Sequence, residues 1–326
     1  ESPTIPKPSC TFVDLLLIED DSYIVYTNTF FSALYLLEQQ RLQGRLPAPG
    51  ILAGAMPLGN GNRIPKLAFG MYKVPPDEAI LVNAIQAGYR HFDAASIYGN
   101  TATLGRALQQ LGMARSDFFV GTKVWNDDVA KGRVRESVQE ELVSLGSSYF
   151  DIVYIHWPVP GHFCSAYREL EALYRDGKIR GIGLSNFNIQ EYKELLQQGI
   201  AIPPVVNQFE VSPLLYRPGL IDYFQRQGIV VVASKALSRT TAFERVEIQQ
   251  LAAKHSVSPA QIMLRWSLQK GLVLISKTVD PDRMRENRAI LHFALDVSDM
   301  TLLDSMTEEE DIRQRTELEA ERKAVS

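Results

Sequence analysis

Eight short apolar runs separated by amphipathic segments constrain the fold of this chain more than any other feature. The runs lie at 67–74, 91–94, 118–125, 150–157, 179–185, 204–211, 229–234 and 272–277. Each run has the length of a buried strand. The segment 134–145 between two of them carries valines and leucines at the three- and four-residue spacing of a helix that packs on a sheet. Eight strand-then-helix units with right-handed crossovers predict an α/β fold, a closed (β/α)8 TIM barrel.

The glycine pattern before the first barrel strand predicts a hairpin rather than a dinucleotide-binding turn. The string GNGNRI at 59–64 lacks the third glycine of the Gly-x-Gly-x-x-Gly fingerprint, and it precedes the alternating series instead of following a strand of it. A glycine-rich turn at this place joins two short antiparallel strands. We therefore expect an N-terminal β-hairpin plug and disfavour an open, doubly wound sheet.

The chain is predicted to consist of an N-terminal extension, residues 1–55, and one barrel domain, residues 56–326. A single α/β barrel of about 250 residues accounts for most of the length. The extension is aromatic-rich and is expected to be helical from about Thr29. It either packs on the barrel as an extra helix, or mediates self-association or recruits a partner. At the other end, 309–323 places acidic residues four positions before basic ones, which predicts a charged, solvated helix.

Composition and charge exclude several classes of function. A net charge of −4 and a pI near 5.8 provide no basic surface for a nucleic acid. No run reaches the roughly 18 apolar residues of a membrane span. Cys10 and Cys164 are too few for a disulfide framework, and no metal site is predicted. We expect a cytoplasmic protein; since the chain begins at Glu1, a removed targeting peptide would not be visible.

Four chemistry-bearing residues each lie just past the carboxyl end of a predicted strand. They are Asp93, Tyr98, Lys123 and His156. Because parallel barrel strands end at one rim, a carboxylate, a phenol, an ammonium and an imidazole would converge there as a proton relay. Taken singly, each has a plainer interpretation: a partly buried aromatic ring, a core histidine with its hydrogen bonds satisfied, or two members of a structural ion pair.

Eight motifs in a fixed order extend this pattern over roughly residues 56–305. They are NGNRIPKLAFGMYKV, GYRHFDAASIYGN, GTKVWN, DIVYIHWP, GIGLSNFN, NQFEVSPL, SPAQIMLRW and SKTVDPDRMREN. Together they resemble the aldo-keto reductases, NADPH-dependent (β/α)8 barrels that reduce aldehydes and ketones. The resemblance implies a small-molecule carbonyl substrate, NADP(H) as the cofactor and catalytic roles for the four rim residues.

Carbonyl reduction gives each rim residue a chemical task. Hydride transfer leaves negative charge on oxygen, so Tyr98 is the predicted general acid. Lys123 would favour the ionised phenol, and Asp93 would keep Lys123 charged and in place. His156 would donate a hydrogen bond to the same oxygen and fix its orientation.

Two further groups of residues are predicted to bind the cofactor. After the last strand, cations, a hydroxyl and a carboxylate or amide occur together, groups that suit an adenosine 2′-phosphate and its base. The resemblance implies that these positions bind that phosphate and base, which favours NADP over NAD. The residues there are Lys277, Thr278, Val279, Arg283, Glu286 and Asn287. The resemblance also implies that Ser185, Asn186 and Gln208 contact the nicotinamide carboxamide.

The end of the seventh barrel strand departs from the family pattern. Many aldo-keto reductases have Ala-Tyr-Ser-Pro-Leu there and stack the tyrosine on the nicotinamide, whereas this chain has Ser234, Lys235 and Leu237 at the corresponding places. These three residues are nevertheless predicted to contact the cofactor. The aromatic platform is predicted to be absent, and Lys235 is predicted to meet the cofactor pyrophosphate instead.

The resemblance implies a substrate wall formed by Tyr72, Trp125 and Trp157, three aromatic residues near strand ends. The stretch 159–166 is short and the C-terminal tail is polar, so an open mouth and broad specificity are expected. The alternative function is a non-catalytic NADPH-binding regulator, similar to the potassium-channel β subunits, that would act through residues 1–55.

Overall fold

The eight predicted strands close into one parallel barrel in the computed structural model. The structure describes residues 54–323, apart from the side chains of 239–241, and the predicted N-terminal helix lies outside this range. The strands are β1 (Ala55–Pro57), β2 (Arg63–Pro65), β3 (Leu67–Gly70), β4 (His91–Asp93), β5 (Phe119–Val124), β6 (Ile152–Ile155), β7 (Ile182–Ser185), β8 (Val206–Glu210), β9 (Val230–Ser234) and β10 (Val273–Ser276). From β3 onward each strand pairs with the next, and β10 closes on β3. The TIM barrel is therefore confirmed.

Helices follow the barrel strands, and most of them form the outer layer of the barrel. They are α1 (Glu78–Gln86), α2 (Thr101–Gln110), α3 (Asn126–Ala130), α4 (Val134–Leu145), α5 (Phe163–Arg175), α6 (Ile189–Gln197), α7 (Pro218–Arg226), α8 (Val246–His255), α9 (Pro259–Gln269), α10 (Pro281–Arg288), α11 (Val297–Asp304) and α12 (Glu309–Lys323). Short 3-10 turns lie at Ser96–Tyr98, Arg115–Asp117 and Ser238–Glu244. Within 54–323, no helix has the length and apolar character needed to cross a membrane.

The antiparallel pair β1 and β2 closes the amino end of the barrel. Leu58 and Ile64 are buried in one apolar cluster with Phe119, Ile152 and Val230, which lie at the starts of barrel strands. The turn between the two strands also donates hydrogen bonds from its asparagine amides to a loop carbonyl at the same end of the barrel. The predicted hairpin plug is therefore confirmed. It does not cover the opposite, carboxyl end of the barrel, where the predicted rim residues lie.

Gly105 lies at a close approach of α2 and α4. A Cβ at this position would lie 2.6 Å from the Leu145 carbonyl oxygen and 3.0 Å from that of Ser144. Glycine to alanine in a helix interior normally stabilises by about 1 kcal/mol. Here the backbone of the neighbouring helix must move, so we expect Gly105→Ala to lower the free energy of unfolding by about 1–3 kcal/mol. Denaturant unfolding measures the change.

The matched control is Gly219→Ala in α7, because nothing lies within 4 Å of the Cβ added there. Substitution of this second helical glycine should not lower the free energy of unfolding. Equal unfolding midpoints for Gly105→Ala and the parent chain would contradict the close approach of α2 and α4.

The C-terminal helix confirms the predicted element but not its predicted surroundings. The α12 side chain of Arg315 is only 8% exposed, and it pairs with Glu210 at the end of β8 at 2.8 Å. Lys323 pairs with Glu191 of α6 at 2.7 Å. Arg315 keeps one partner within the helix, Glu319, and gains Glu210 from the barrel, because α12 packs over the carboxyl end of the barrel. Most of this charged helix is exposed, as predicted, but the face that carries Arg315 and Glu319 is buried rather than solvated, and the open mouth stays a prediction.

Candidate active site

The four predicted rim residues meet at the carboxyl ends of β4, β5 and β6. Asp93 is the last residue of β4, Lys123 is the penultimate residue of β5, and His156 directly follows β6. Tyr98 ends the 3-10 turn Ser96–Tyr98 that follows β4, and Gly99 after it takes a left-handed conformation with φ 66°. That turn brings the phenol back toward the barrel mouth. The structure thus brings together all four side chains.

A buried ion pair lies at the centre of this group. Lys123 Nζ donates to Asp93 Oδ2 at 2.7 Å and to the Ala94 carbonyl oxygen at 2.8 Å. The other carboxylate oxygen of Asp93 accepts from the Gln208 side-chain amide at 2.8 Å. The Lys123 side chain is 1% exposed, and burial lowers its pKa while the Asp93 carboxylate opposes that shift. The ammonium and the carboxylate are therefore each held by the other and by one further neighbour.

The Tyr98 phenol is held in its neutral form. Its ring centroid lies 5.2 Å from Lys123 Nζ and 5.2 Å from the Tyr72 ring centroid. Burial first, then the negative charge of Asp93 and the Tyr72 side chain, raise the pKa of Tyr98 well above its usual range. Burial and the Asp93 charge outweigh any effect of Lys123 on the resting phenol, and the expectation that Lys123 favours the ionised form stays a prediction. What the site holds is a protonated donor.

His156 is held as a neutral imidazole among aromatic rings. Its ring centroid lies 4.9 Å from that of Trp125, 6.0 Å from that of Tyr98 and 6.5 Å from that of Trp157. Burial and the nearby Lys123 charge lower the pKa of His156 well below its usual range. Its Nδ1 is buried with no hydrogen-bond partner among residues 54–323. The neutral ring therefore has at least one nitrogen, Nδ1, that no group in this part of the chain engages.

The residues predicted to contact the nicotinamide lie side by side on β7 and β8. Ser185 pairs in register with Gln208, and both are buried. Asn186 follows in a left-handed conformation, φ 60°, and its side-chain amide donates to the His156 carbonyl oxygen at 3.0 Å and to Ser185 Oγ at 3.1 Å. Its Oδ1 accepts from Arg315 at 3.2 Å. The strand ends therefore fix a cluster of polar groups beside His156.

The end of β9 lacks an aromatic ring, as its sequence requires. Ser234 is the last strand residue, and Lys235 follows with φ 49°. Lys235 Nζ pairs with Glu210 Oε2 at 2.6 Å, and Leu237 packs at the edge of the apolar core. The predicted contact of Lys235 with a pyrophosphate stays a prediction, and Glu210 would compete for that ammonium.

The predicted adenosine residues surround the start of α10. Asp280 caps this helix by accepting from the backbone amides of residues 282 and 283, and Thr278 Oγ1 accepts from the Asp280 amide. Lys277, Val279 and Arg283 are exposed, Thr278 and Glu286 are half-buried, and Asn287 is buried. Neither Lys277 nor Arg283 forms an ion pair with another described residue. Two available cations therefore flank a helix N-terminus, a place suited to a phosphate.

The three aromatic residues predicted to form the substrate wall differ in exposure. Tyr72 is 54% exposed, and Tyr98 and Trp125 are half-buried, so these rings line an accessible cleft. Trp157 is buried, and the Arg315 guanidinium lies 5.8 Å from its ring centroid. The structure therefore places Tyr72 and Trp125 at the cleft and Trp157 under α12. Within residues 54–323, no cluster of His, Cys, Asp and Glu is arranged to hold a metal ion.

Several contacts in the site were not predicted from the sequence. Glu210 and Gln208 are two residues apart on β8 and thus share a face, a period-two signal that would have added Glu210 to the site. Arg315 and Glu319 are four residues apart on α12, so they too share a face. Nothing in the sequence indicates that the Ala94 carbonyl oxygen accepts from Lys123.

A closed (β/α)8 barrel with this rim is the architecture of a family of oxidoreductases. The model of the Aldo/keto reductase family matches residues 51–308. The chain belongs to this family, and the resemblance seen in the motifs is confirmed.

Named relatives support the same assignment. The chain is 37% identical to the glyoxal reductase of Bacillus subtilis over 265 residues, which cover 80% of this chain and 96% of the relative. It is 36% identical to the methylglyoxal reductase DkgA of Salmonella typhimurium over 249 residues, 74% of this chain and 90% of that protein. The solved aldose reductase of Schistosoma japonicum superposes with a TM-score of 0.73 at 30% identity, covering 78% of this chain and 93% of the other.

Proposed function

We propose that this protein reduces small aldehydes and ketones to alcohols with NADPH, and that Tyr98 is the general acid. The observation that carries the proposal is the protonated Tyr98 phenol beside the buried Lys123–Asp93 pair and a neutral His156. Similarity to glyoxal and methylglyoxal reductases points to 2-oxoaldehydes as the first substrates to test.

The rim residues have complementary tasks in this proposal. A carbonyl oxygen that gains negative charge needs a proton, and the Tyr98 hydroxyl donates it. His156 donates a hydrogen bond from Nε2 to the same oxygen, because its Nδ1 is buried and faces no partner within 54–323. Lys123 and Asp93 act together: the ammonium stabilises the phenolate that remains after proton donation, and the carboxylate keeps the ammonium charged in a buried place.

The donor groups at the rim fit a nicotinamide dinucleotide. When bound, NADPH would supply the hydride. Ser185, Asn186 and Gln208 present hydroxyl and amide groups that match a carboxamide. Lys277 and Arg283 present cations beside the N-terminus of α10 that match a 2′-phosphate. Ser234 leaves the nicotinamide without an aromatic platform at β9.

Loss of the two cations near α10 should weaken NADPH binding selectively. Lys277→Ala/Arg283→Ala is expected to raise the Kd for NADPH by about 10²- to 10⁴-fold and to leave that for NADH nearly unchanged, because hydrogen bonds to charged groups contribute about 1.5–3 kcal/mol each. Titration of the reduced cofactor by fluorescence gives both constants. Arg285→Ala is the matched control, since Arg285 lies on the same helix and already pairs with Asp282. Equal losses for the two cofactors would contradict recognition of a 2′-phosphate.

The reductase proposal is tested by NADPH oxidation. Glyoxal, methylglyoxal, an aromatic aldehyde, a simple ketone and an aldose form the panel, and the Tyr98→Phe variant is assayed alongside. Turnover of at least one carbonyl by the parent chain and loss of that turnover in the variant support the proposal. NADPH binding without turnover of any carbonyl would favour the regulatory alternative.

A further inference from the structure

Arg315 of α12 reaches into the part of the rim that the proposed function gives to the nicotinamide. Its Nη2 donates to Asn186 Oδ1 at 3.2 Å, and its Nη1 pairs with Glu210 Oε2 at 2.8 Å. Its guanidinium also lies against Trp157, with 5.8 Å between the guanidinium carbon and the ring centroid. One arginine therefore contacts the ends of three neighbouring strands, β6, β7 and β8.

The side-chain amide of Asn186 is engaged at both ends in this arrangement. Its nitrogen donates to the His156 carbonyl oxygen and to Ser185 Oγ, and its oxygen accepts from Arg315. A primary amide has two N–H donors, and both are used. A cofactor carboxamide that binds Asn186 through Oδ1 would meet the Arg315 guanidinium at the same atom. This oxygen can accept two hydrogen bonds, and Arg315 already supplies one, so the carboxamide would have to share the space in front of Oδ1 with the guanidinium.

A network of ions holds Arg315 in this place. Glu319, one turn further along α12, accepts from Arg315 Nε at 2.8 Å and from Arg217 Nη1 at 3.1 Å. Glu210 also pairs with Lys235 at 2.6 Å. Bonds from the helix to the end of β8 and to the start of α7 therefore fasten the middle of α12 to the rim.

The end of α12 is fastened separately. The Asn126 side-chain amide donates to the Arg322 carbonyl oxygen at 2.7 Å, and Lys323 pairs with Glu191 at 2.7 Å. The helix lies outside the span 51–308 that the family model matches. Because α12 contacts α3, α6 and the ends of β7 and β8, it covers this part of the rim as one unit.

We propose that α12 is a latch on cofactor exchange, with Arg315 as the contact that must break before the nicotinamide carboxamide can bind Asn186. The inference rests on the proposed function, since it takes the Asn186 assignment from it. The substrate cleft at Tyr72 and Trp125 stays accessible while the latch is closed. Opening of α12 therefore limits how fast NADPH binds and leaves, and it has little effect on access of the carbonyl.

The rate of NADPH association tests the latch. The full-length protein is mixed with NADPH in a stopped-flow instrument, and energy transfer from tryptophan to the reduced nicotinamide follows binding. If the closed state limits the competent fraction, Arg315→Ala should bind about three- to thirtyfold faster than the parent chain. The variant leaves Glu210 paired with Lys235 and Glu319 paired with Arg217, so no carboxylate is orphaned.

Two further variants make this comparison specific. Arg313→Ala removes the same residue type from the same helix, but its side chain is 68% exposed and pairs only with Glu310 of that helix among described residues. It should bind NADPH at the parent rate. Arg315→Lys keeps the charge but loses the planar fork that reaches Asn186 and Glu210 together, so an intermediate rate is expected.

Hydrogen exchange gives a second readout that does not depend on turnover. The latch predicts faster amide exchange in 309–323 when NADPH is saturating. Protection of this helix by NADPH, or association that is unchanged or slower in Arg315→Ala, would overturn the latch and leave the reductase proposal intact. If neither the parent chain nor a variant binds NADPH at millimolar concentration, the proposed function fails and the latch fails with it.

Discussion

Replacing Tyr98 by phenylalanine is expected to lower kcat/KM for carbonyl reduction by about 10²- to 10⁴-fold, the range that a positioned general acid contributes. The variant removes one oxygen atom and keeps the ring, so the contacts with Tyr72 and His156 are retained. The high pKa of the buried phenol makes Tyr98 a donor that stays protonated at neutral pH. Initial rates with methylglyoxal, measured as NADPH oxidation, give the ratio.

Two controls separate loss of chemistry from loss of structure in this variant. Tyr223→Phe removes the same oxygen from α7, in the outer layer of the barrel, and should retain the parent rate. The Kd for NADPH should be unchanged in Tyr98→Phe, because the phenol acts on the carbonyl oxygen. Turnover by Tyr98→Phe at the parent rate would show that the proton comes from elsewhere, and the proposed role of Tyr98 would be abandoned.

The rim residues could be predicted because parallel barrel strands all end at one rim. Residues that follow consecutive strands in the sequence therefore lie close together in space. Asp93 and Lys123 stand at the ends of consecutive apolar runs, and parallel pairing of those runs brings their side chains to 2.7 Å. The hairpin was predictable for a similar reason, since GNGNRI offers a tight turn and no helix follows it. Local patterns that repeat along the chain are enough to define these features.

The surroundings of α12 were not predictable from its own sequence. Charges at a spacing of four residues satisfy each other within an isolated helix, so the pattern at 309–323 is typical of a solvated one. In the structure, Arg315 turns to Glu210, a residue 105 positions earlier in the chain. Only the tertiary fold brings that carboxylate within reach.

The pKa of Tyr98 shows a second limit of sequence reasoning. The motifs place a cation near the phenol, and a cation alone would lower the pKa of the phenol. The actual balance depends on burial and on how closely Asp93 neutralises Lys123, and the net effect raises the pKa. Residue identity gives the participants, while the sign of the shift requires distances and solvent exposure.

Asp93→Asn is expected to destabilise the fold as well as impair catalysis. Lys123 is 1% exposed, and without the carboxylate its ammonium would be buried with no counter-ion in contact. Removing one member of a buried ion pair typically costs about 3–5 kcal/mol. Denaturant unfolding at pH 7 measures this loss. Asp176→Asn is the exposed control: its pair with Arg135, at 2.9 Å and half-exposed on both sides, should contribute less than about 1 kcal/mol.

The stability lost in Asp93→Asn should depend on pH, and the pKa of Lys123 determines in which direction. In the Asp93→Asn variant the pKa of Lys123 should fall further below its usual range, since burial already lowers it and the opposing carboxylate is gone. Between the folded and unfolded pKa values, the unfolded chain then binds more protons, so stability rises with pH by up to about 1.4 kcal/mol per unit. The deficit relative to the parent chain should therefore shrink from pH 7 to pH 9.5. A deficit that is constant over this range would contradict a buried, charged Lys123 as its cause.

The double variant Asp93→Asn/Lys123→Met separates the structural role of the pair from its chemical role. It removes both charges and keeps an amide oxygen at position 93 that can accept from Gln208. Replacing a whole buried ion pair by neutral groups of similar volume is often close to neutral for stability, so most of the loss seen in Asp93→Asn should be recovered. Activity should not be recovered, because Tyr98 would have no ammonium to stabilise its phenolate. A double variant that regains both stability and turnover would show that the pair serves the fold alone.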